Sequence, residues 1–468
     1  MAAGGVPTTT PLLESGAGNA DAAAVTTAGE AARMVWEETQ RLWRVGLPIV
    51  VSSVSLFAIC STTNMFVGHL GNLPLAAASI AFSVFCTFSF GFLLGMGSAL
   101  ETLSGQAFGA GQVAMLGVYL QRSWIVLLAA GLLMVPIYLL AEPILLLAGQ
   151  DADVAREAGK FTACTIPTIF AFAINFPSSK FLQAQSKVAA LAWIGLAGLA
   201  VHVAAAYALV YAAGWGMYGA AAALDASLWG ITLAQVAYIV GWCGGEEGGW
   251  RGWSAAAFCD MWPFVKLSLE SALMLCLEMW YLSILTVLAG NLADAQIAVD
   301  SLGICTSIDG WEATVFFGIN AAISIRVSNE LGSGRPRAAM FAVIVAVVES
   351  LMIGLLCMVF VLVFRDHFSI IFTSDVKLRQ AVAKIAGLLG LTMVLNSVQP
   401  VISGVAVGGG WQGLVAYINV GCYYAFGLPL GYILGYKLDY GVGSAEQIGK
   451  LRPHKPQLAC RSGEAQMK

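Results

Sequence analysis

An all-α polytopic membrane protein built as two pseudo-symmetric helical lobes is the fold class this sequence predicts, on three observations. Hydrophobic residues make up 59% of the 468 and charged residues 11%, with a mean hydropathy of +0.79, a composition that cannot clothe a water-soluble surface. Apolar runs of about 20 residues, the length a helix needs to cross the hydrocarbon core, recur along the chain. The second half also repeats short motifs of the first at a nearly fixed offset, the mark of an internally duplicated membrane fold.

In chain order, residues 1–42 are rich in Ala, Gly and Thr and lack the basic start and short apolar core of a cleaved signal, so they read as a disordered cytoplasmic tail. Six spans follow near 45–67, 74–98, 118–141, 161–182, 188–212 and 217–243, forming an N-lobe over 43–243. A glycine-rich connection, 244–264, leads to a C-lobe over 265–440 with spans near 265–288, 297–320, 340–364, 382–404 and 414–436. The total is about eleven transmembrane helices, six and five, with a polar tail over 441–468.

The repeat is carried by several matches. Gly71-Asn72-Leu73 answers Gly290-Asn291-Leu292, and Ser104-Gly105-Gln106 with Gly109-Ala110-Gly111 answers Ser328-Asn329-Glu330 with Gly332-Ser333-Gly334. Pro177 and Pro400 share the same offset, 400 minus 177 or 223. Repeats of even span number lie in the same orientation, which puts the pseudo-two-fold axis along the membrane normal and a cleft between the lobes. The repeat also predicts a twelfth span, opened by Asp439-Tyr440-Gly441-Val442-Gly443 as Trp215-Gly216-Met217-Tyr218-Gly219 opens the sixth, but Ser444–Lys468 is too polar to cross. The expectation is a chain truncated or alternatively spliced before its last helix, with re-entry of its last part as the alternative. Basic residues favour the N-terminus inside, because Arg33, Arg122, Lys187, Arg326, Arg335 and others gather in the loops that would then be cytoplasmic.

Other classes lack their signatures. No basic patch suggests nucleic acid, the ten cysteines have no metal-like spacing, no Gly-x-x-x-x-Gly-Lys-Ser/Thr loop could cradle ATP, and the four histidines form no His-Glu-x-x-His. An intramembrane enzyme is therefore the weaker alternative.

What stands out is acid inside the seventh and eighth spans: Glu278, Asp300, Asp309 and Glu312. A carboxylate in lipid costs several kcal/mol, so such residues mark ion or proton paths. Glu278 sits mid-span between Leu277 and Met279, where taking up a proton removes the cost of burying charge. Asp309 and Glu312 share a helix face, while Asp300 is half a turn away from Asp309. Asp300 is the expected partner of Glu278 across the antiparallel neighbour, and Asp309 and Glu312 have backbone or the surroundings of Trp311 as alternatives. Asn396 and Gln399 are candidate solute or proton-network contacts, with polar helix packing as the other reading. Trp280 and Tyr281 are candidate cavity aromatics, and Pro177 and Pro400 are expected to kink their helices. Glu101, Glu270 and Glu330 read as interfacial ion pairs or caps, and His202 as a packed, hydrogen-bonded group.

Five runs then carry a resemblance: Ala99-Leu100-Glu101-Thr102-Leu103-Ser104-Gly105-Gln106; Phe181-Leu182-Gln183-Ala184-Gln185-Ser186-Lys187; Cys276-Leu277-Glu278-Met279-Trp280; Arg326-Val327-Ser328-Asn329-Glu330-Leu331-Gly332; and Val398-Gln399-Pro400-Val401-Ile402-Ser403-Gly404. Over about residues 35–440 the chain resembles the plant branch of the multidrug and toxic compound extrusion (MATE) family. The resemblance implies a twelve-span antiporter that exchanges protons, or sodium ions, for organic solutes such as flavonoids, alkaloids or other secondary metabolites. It implies a monomer in the vacuolar or plasma membrane, driven by an ion gradient, with no resident cofactor. The family's carboxylate in the Cys-Leu-Glu motif maps onto Glu278. The acids that some relatives carry in the first and tenth spans are replaced here by Thr62-Thr63-Asn64 and Asn396, which places coupling in the seventh and eighth spans. The absent twelfth helix leaves an inactive or regulatory form as the alternative.

Overall fold

The computed structural model describes residues 28–245, 248–289, 295–371 and 376–433, so the expected tail over 441–468 lies outside it. Among the described residues the regular elements are helices, with one isolated bridge between Gly244 and Trp250. Helices α1 (Ala28–Gly68), α2 (Asn72–Gly109) and α3 (Val113–Leu139) lead to a short α4 (Ala141–Leu147) and to α5 (Ala152–Cys164) and α6 (Ile166–Ala184), followed by α7 (Val188–Ala212) and α8 (Gly216–Trp242). The C-lobe holds α9 (Met261–Ala289), α10 (Ala295–Gly332), α11 (Pro336–Val363), α12 (Val376–Gly409) and α13 (Gln412–Gly431). Eight of these helices pass on length and hydropathy as membrane spans, and α5 with α6 makes a ninth, bent by 45°. Helices α9 and α10, at 29 and 38 residues, are also long enough to cross. Among the described residues the long helices thus group into two lobes, six and five, counting the bent pair as one.

The helices outrun the apolar stretches that predict them. A backbone ladder does not stop where lipid stops, provided the polar side chains beyond it find partners. The largest correction is at the start: α1 begins at Ala28, so Ala28–Leu42 is helix and not the tail expected to run through residue 42. Leu42 and Val45 are buried with Phe316, Ile319 and Ile323 of α10, and Glu38 is buried against Arg326. Charged residues in this segment hid it from a reading based on hydropathy. Likewise α9 opens at Met261, inside the connection expected over 244–264.

The two lobes end corresponding helices with the same turn. Gly111 and Gly334 both take left-handed φ, 72° and 71°, a conformation glycine adopts without the steric cost of a Cβ. The next residues close a Schellman bond, Gln112 N–H to Ala107 O at 2.8 Å and Arg335 N–H to Glu330 O at 2.9 Å. The fourth span differs between lobes. Pro167 opens α6, so the N-lobe copy breaks at Thr165, whereas the C-lobe copy, α12, runs unbroken through Pro400.

The first helix of each lobe leans on the other lobe. The first half of α1 packs on α10, and the first half of α9 packs on α2, where a Cβ at Gly95 would lie 2.7 Å from Ala272 Cα. At the N-terminal face, which holds Ala28 and the loops after Gly109 and Gly332, the lobes interlock. Cβ atoms at Gly105, Gly109 and Gly332 would collide with Ser328, Asn329 and Gln106. Ser333 Oγ donates across to Gly109 O at 2.9 Å, and Gln106 Nε2 to Gly408 O at 3.2 Å.

Candidate functional site

Two of the carboxyls singled out by sequence, Glu278 and Asp309, lie in the C-lobe where α9, α10 and α12 meet. α12 is the reader of both. It presents Asn396 and Gln399 three residues apart, and therefore on neighbouring parts of one face. Gln399 Nε2 donates to Glu278 Oε1 at 3.2 Å and lies 3.2 Å from Ser403 Oγ. Asn396 Nδ2 donates to both oxygens of Asp309, each at 3.2 Å. Both amides thus engage carboxyl groups.

Glu278 and Trp280 are two residues apart on α9, close to opposite sides of the helix. Glu278 accordingly faces α12, while Trp280 stacks on Phe88 of α2 across the lobe seam, with ring centroids 6.2 Å apart and planes at 6°. Tyr281 stays on the Glu278 side and stacks on Tyr423 at 4.7 Å. Tyr423 belongs to a π-helical stretch, Val420–Gly427, within α13, and also touches Gln399. The extra residue in a π turn re-aims side chains locally. Trp311 meets Phe57 of α1 edge-on at 5.8 Å, a second aromatic contact across the seam. Phe316 is fully buried in the packing of α10 against α1.

Glu312 is buried, beside Cys357 of α11, and its Oε1 has no hydrogen-bond partner. Among the described residues Glu278 is met by Gln399, and the pairing expected with Asp300 lies outside them. Asp300 lies on α10 in a stretch whose side chains fall outside the described residues. Pro400 cannot donate to the carbonyl of Asn396 four residues back, and Asn320 of α10 donates to the carbonyl of Pro400. The proline therefore loosens α12 beside its two amides while α10 holds it there.

Away from this cluster the other acids singled out by sequence, and His202, each have a partner. His202 is fully buried between Thr63 Oγ1 at 3.1 Å and Ser227 Oγ at 3.0 Å, a packed hydrogen-bonded group as its position suggested. Glu101 pairs with Lys180, Glu270 with Lys266 at 3.9 Å, and Glu330 with Arg326 and Arg335. Asp225 of α8 accepts from Thr168 Oγ1 at 2.6 Å. Glu349 of α11 accepts from Thr39 and from Trp43 Nε1, both on the segment of α1 read as tail. Sequence reasoning missed Glu38 and Glu349 as members of one interface. The available signal was amphipathic: Leu42 and Val45 are three apart, with Glu38 one turn before Leu42 on the same side.

Comparison with known proteins agrees with the repeat. The MatE family model matches the chain twice, over residues 48–208 and 271–433. The starts differ by 271 minus 48, or 223, the spacing between Pro177 and Pro400. Protein DETOXIFICATION 34 of Arabidopsis thaliana is 56% identical over 92% of this chain and 79% of its own length. Protein DETOXIFICATION 35 of the same plant is 56% identical over 93% of this chain and 89% of its own length. The crystal structure of a eukaryotic MATE transporter, AtDTX14, superposes with a TM-score of 0.82 at 33% identity, covering 89% of this chain and 93% of that one. An outward-facing multidrug resistance MATE family transporter, at 16% identity, shares the fold with a TM-score of 0.78 over 88% of this chain and 92% of that one. With two copies of the family model in register and two helical lobes, the chain belongs to the multidrug and toxic compound extrusion family, whose members are membrane transporters and not enzymes.

Proposed function

We propose that this transporter is a proton/organic-solute antiporter working by alternating access, with its N-terminal face in the cytosol and its coupling site in the C-lobe. The observation that carries this reading is the pair of carboxyl–amide contacts on α12, Glu278 with Gln399 and Asp309 with Asn396. An amide N–H suits a charged carboxylate. A protonated carboxyl also brings a donor of its own, so it bonds best to the amide oxygen. Proton binding therefore changes which end of Gln399 or Asn396 faces the acid, and with it the tie between α9, α10 and the proline-loosened α12. Glu312, buried with one oxygen unpartnered, is a further carboxyl for which proton binding removes the cost of burying charge.

No basic side chain pairs with Glu278 or Asp309 among the described ion pairs, so a proton or a sodium ion remains free to neutralise either. The solute is read as a planar organic metabolite or xenobiotic, held where Tyr281 and Tyr423 stack beside Glu278 and where Trp280 and Phe88 meet in the seam. The membrane is read as vacuolar or plasma membrane. One pH unit supplies about 1.4 kcal/mol per proton.

The test is uptake into proteoliposomes after a pH jump or an equal sodium jump, against a panel of flavonoids and alkaloids. Uptake that follows pH and not sodium, and that is lost in Glu278→Gln, supports the proposal. Uptake that follows sodium alone, or survives intact in that variant, removes proton coupling at Glu278.

A further inference from the structure

Outside the coupling site, a linked cluster of acids and bases lies at the contact between α1 and the C-lobe at the N-terminal face. Arg326 of α10 makes a bidentate contact with Glu38 of α1, Nε to Oε1 at 2.8 Å and Nη2 to Oε2 at 3.1 Å. Its third nitrogen donates to Glu330 Oε1 at 2.7 Å. Glu330 is held in turn by Arg335 Nε at 2.9 Å, and Arg41 touches Glu38 from the solvent side at 3.4 Å. The side chains of Glu38, Glu330 and Arg326 are only 4%, 6% and 18% exposed. One turn on, Glu349 of α11 receives Thr39 and Trp43.

The helix that brings Glu38 across is anchored to the other lobe by its second half. α1 is continuous from Ala28 to Gly68; Ile59 lies in the N-lobe core, and Thr63 bonds His202 of α7. Moving the lobes apart at this face therefore pulls Glu38 away from Arg326 and strips Glu349 of both donors. Charged partners separated while still buried are costly, and a planar fork such as Arg326 tolerates little misalignment.

We infer that Glu38 and Arg326 are positioning residues that latch the N-terminal face shut, and that exposing the solute site on this side requires the Glu38–Arg326–Glu330 cluster to break. Latch strength then sets how the transporter divides its time between its two openings, without any contact with solute or coupling ion. The inference deepens the alternating-access reading, but its test does not depend on transport.

The experiment is hydrogen–deuterium exchange of the full chain in lipid nanodiscs, comparing wild type with Glu38→Gln, Arg326→Gln, Arg326→Lys and Glu101→Gln. Glu101 pairs with Lys180 inside the N-lobe, so its loss weakens a buried ion pair without touching the lobe contact. The two latch neutralisations should raise exchange at least about tenfold in both 102–112 and 326–334, with Lys at 326 intermediate, while Glu101→Gln leaves 326–334 at the wild-type rate. Two results would overturn the latch: unchanged exchange in folded Glu38→Gln and Arg326→Gln, or an equal rise in Glu101→Gln. A chain that shows the latch effect but no proton-driven uptake would refute the antiport reading alone.

Discussion

The two lobes descend from one repeated plan, yet they are packed differently. The N-lobe has a single continuous core, running from Ile59 through Leu93, Leu100, Leu120 and Leu127 to Ile169, Phe181 and Leu228. In the C-lobe the buried apolar residues among those described fall into separate groups. One lies around Phe316 and Ile323, one around Ile304, Val382 and Met393, and one around Met274, Leu277 and Val407. Glu278, Gln399, Asp309 and Asn396 lie between them on α9, α10 and α12. The difference teaches that a duplicated scaffold can keep one copy as a rigid body while the other interrupts its core with titratable groups. A region with fewer continuous apolar contacts opens more readily.

The sharpest way to break this comparison is to remove an acid from each lobe. Glu278→Gln should abolish proton-driven accumulation, which a two-unit pH gradient could otherwise support at about a hundredfold for one proton per solute. Asp225→Asn, which only changes the acceptor of Thr168, should retain most of it in the same vesicle assay. If the two variants exchanged roles, the coupling site would belong to the N-lobe.

Packing gives the next largest contrast. Leu127→Ala in the continuous N-lobe core should lose about 2–5 kcal/mol of stability. Met393→Ala beside the interrupted C-lobe core should lose less, because its surroundings can close on the gap; thermal unfolding in nanodiscs measures both. Equal losses would mean that the C-lobe groups behave as one core.

Asn396→Ala comes third. It leaves Asp309 without its two hydrogen bonds, a loss of about 1.5–3 kcal/mol for a charged acceptor, and should shift the pH dependence of uptake while leaving the N-lobe unfolding step in place. The smallest effect is expected from Thr63→Ala. Removing one neutral contact to His202 should lower stability by about 1 kcal/mol and leave the pH profile of uptake unmoved. A moved profile would make His202 part of the proton route.

Much of this was legible in the chain itself. The spans, the 223-residue repeat, the family and the concentration of acids in α9 and α10 all rest on local patterns, because lipid imposes a length and an apolar content on each helix separately. Glu101 and Glu330 were readable as ion pairs for a similar reason, since each lies at a span end among basic residues. The extent of α1 was not. Glu37, Glu38, Arg41 and Arg44 lower its hydropathy to that of a tail, and only the C-lobe surface beneath it accounts for the helix.

The chain alone determined that acidic groups would sit inside lipid and in which half. The partner of each was settled only by folding, because a contact across helices has no periodicity to betray it. Gln399 reaches Glu278 over 121 residues, Asn396 reaches Asp309 over 87, and Arg326 reaches Glu38 over 288. An amphipathic pattern tells a side chain which way to face. The neighbour it meets there depends on how whole helices pack, which is a property of the assembled lobes.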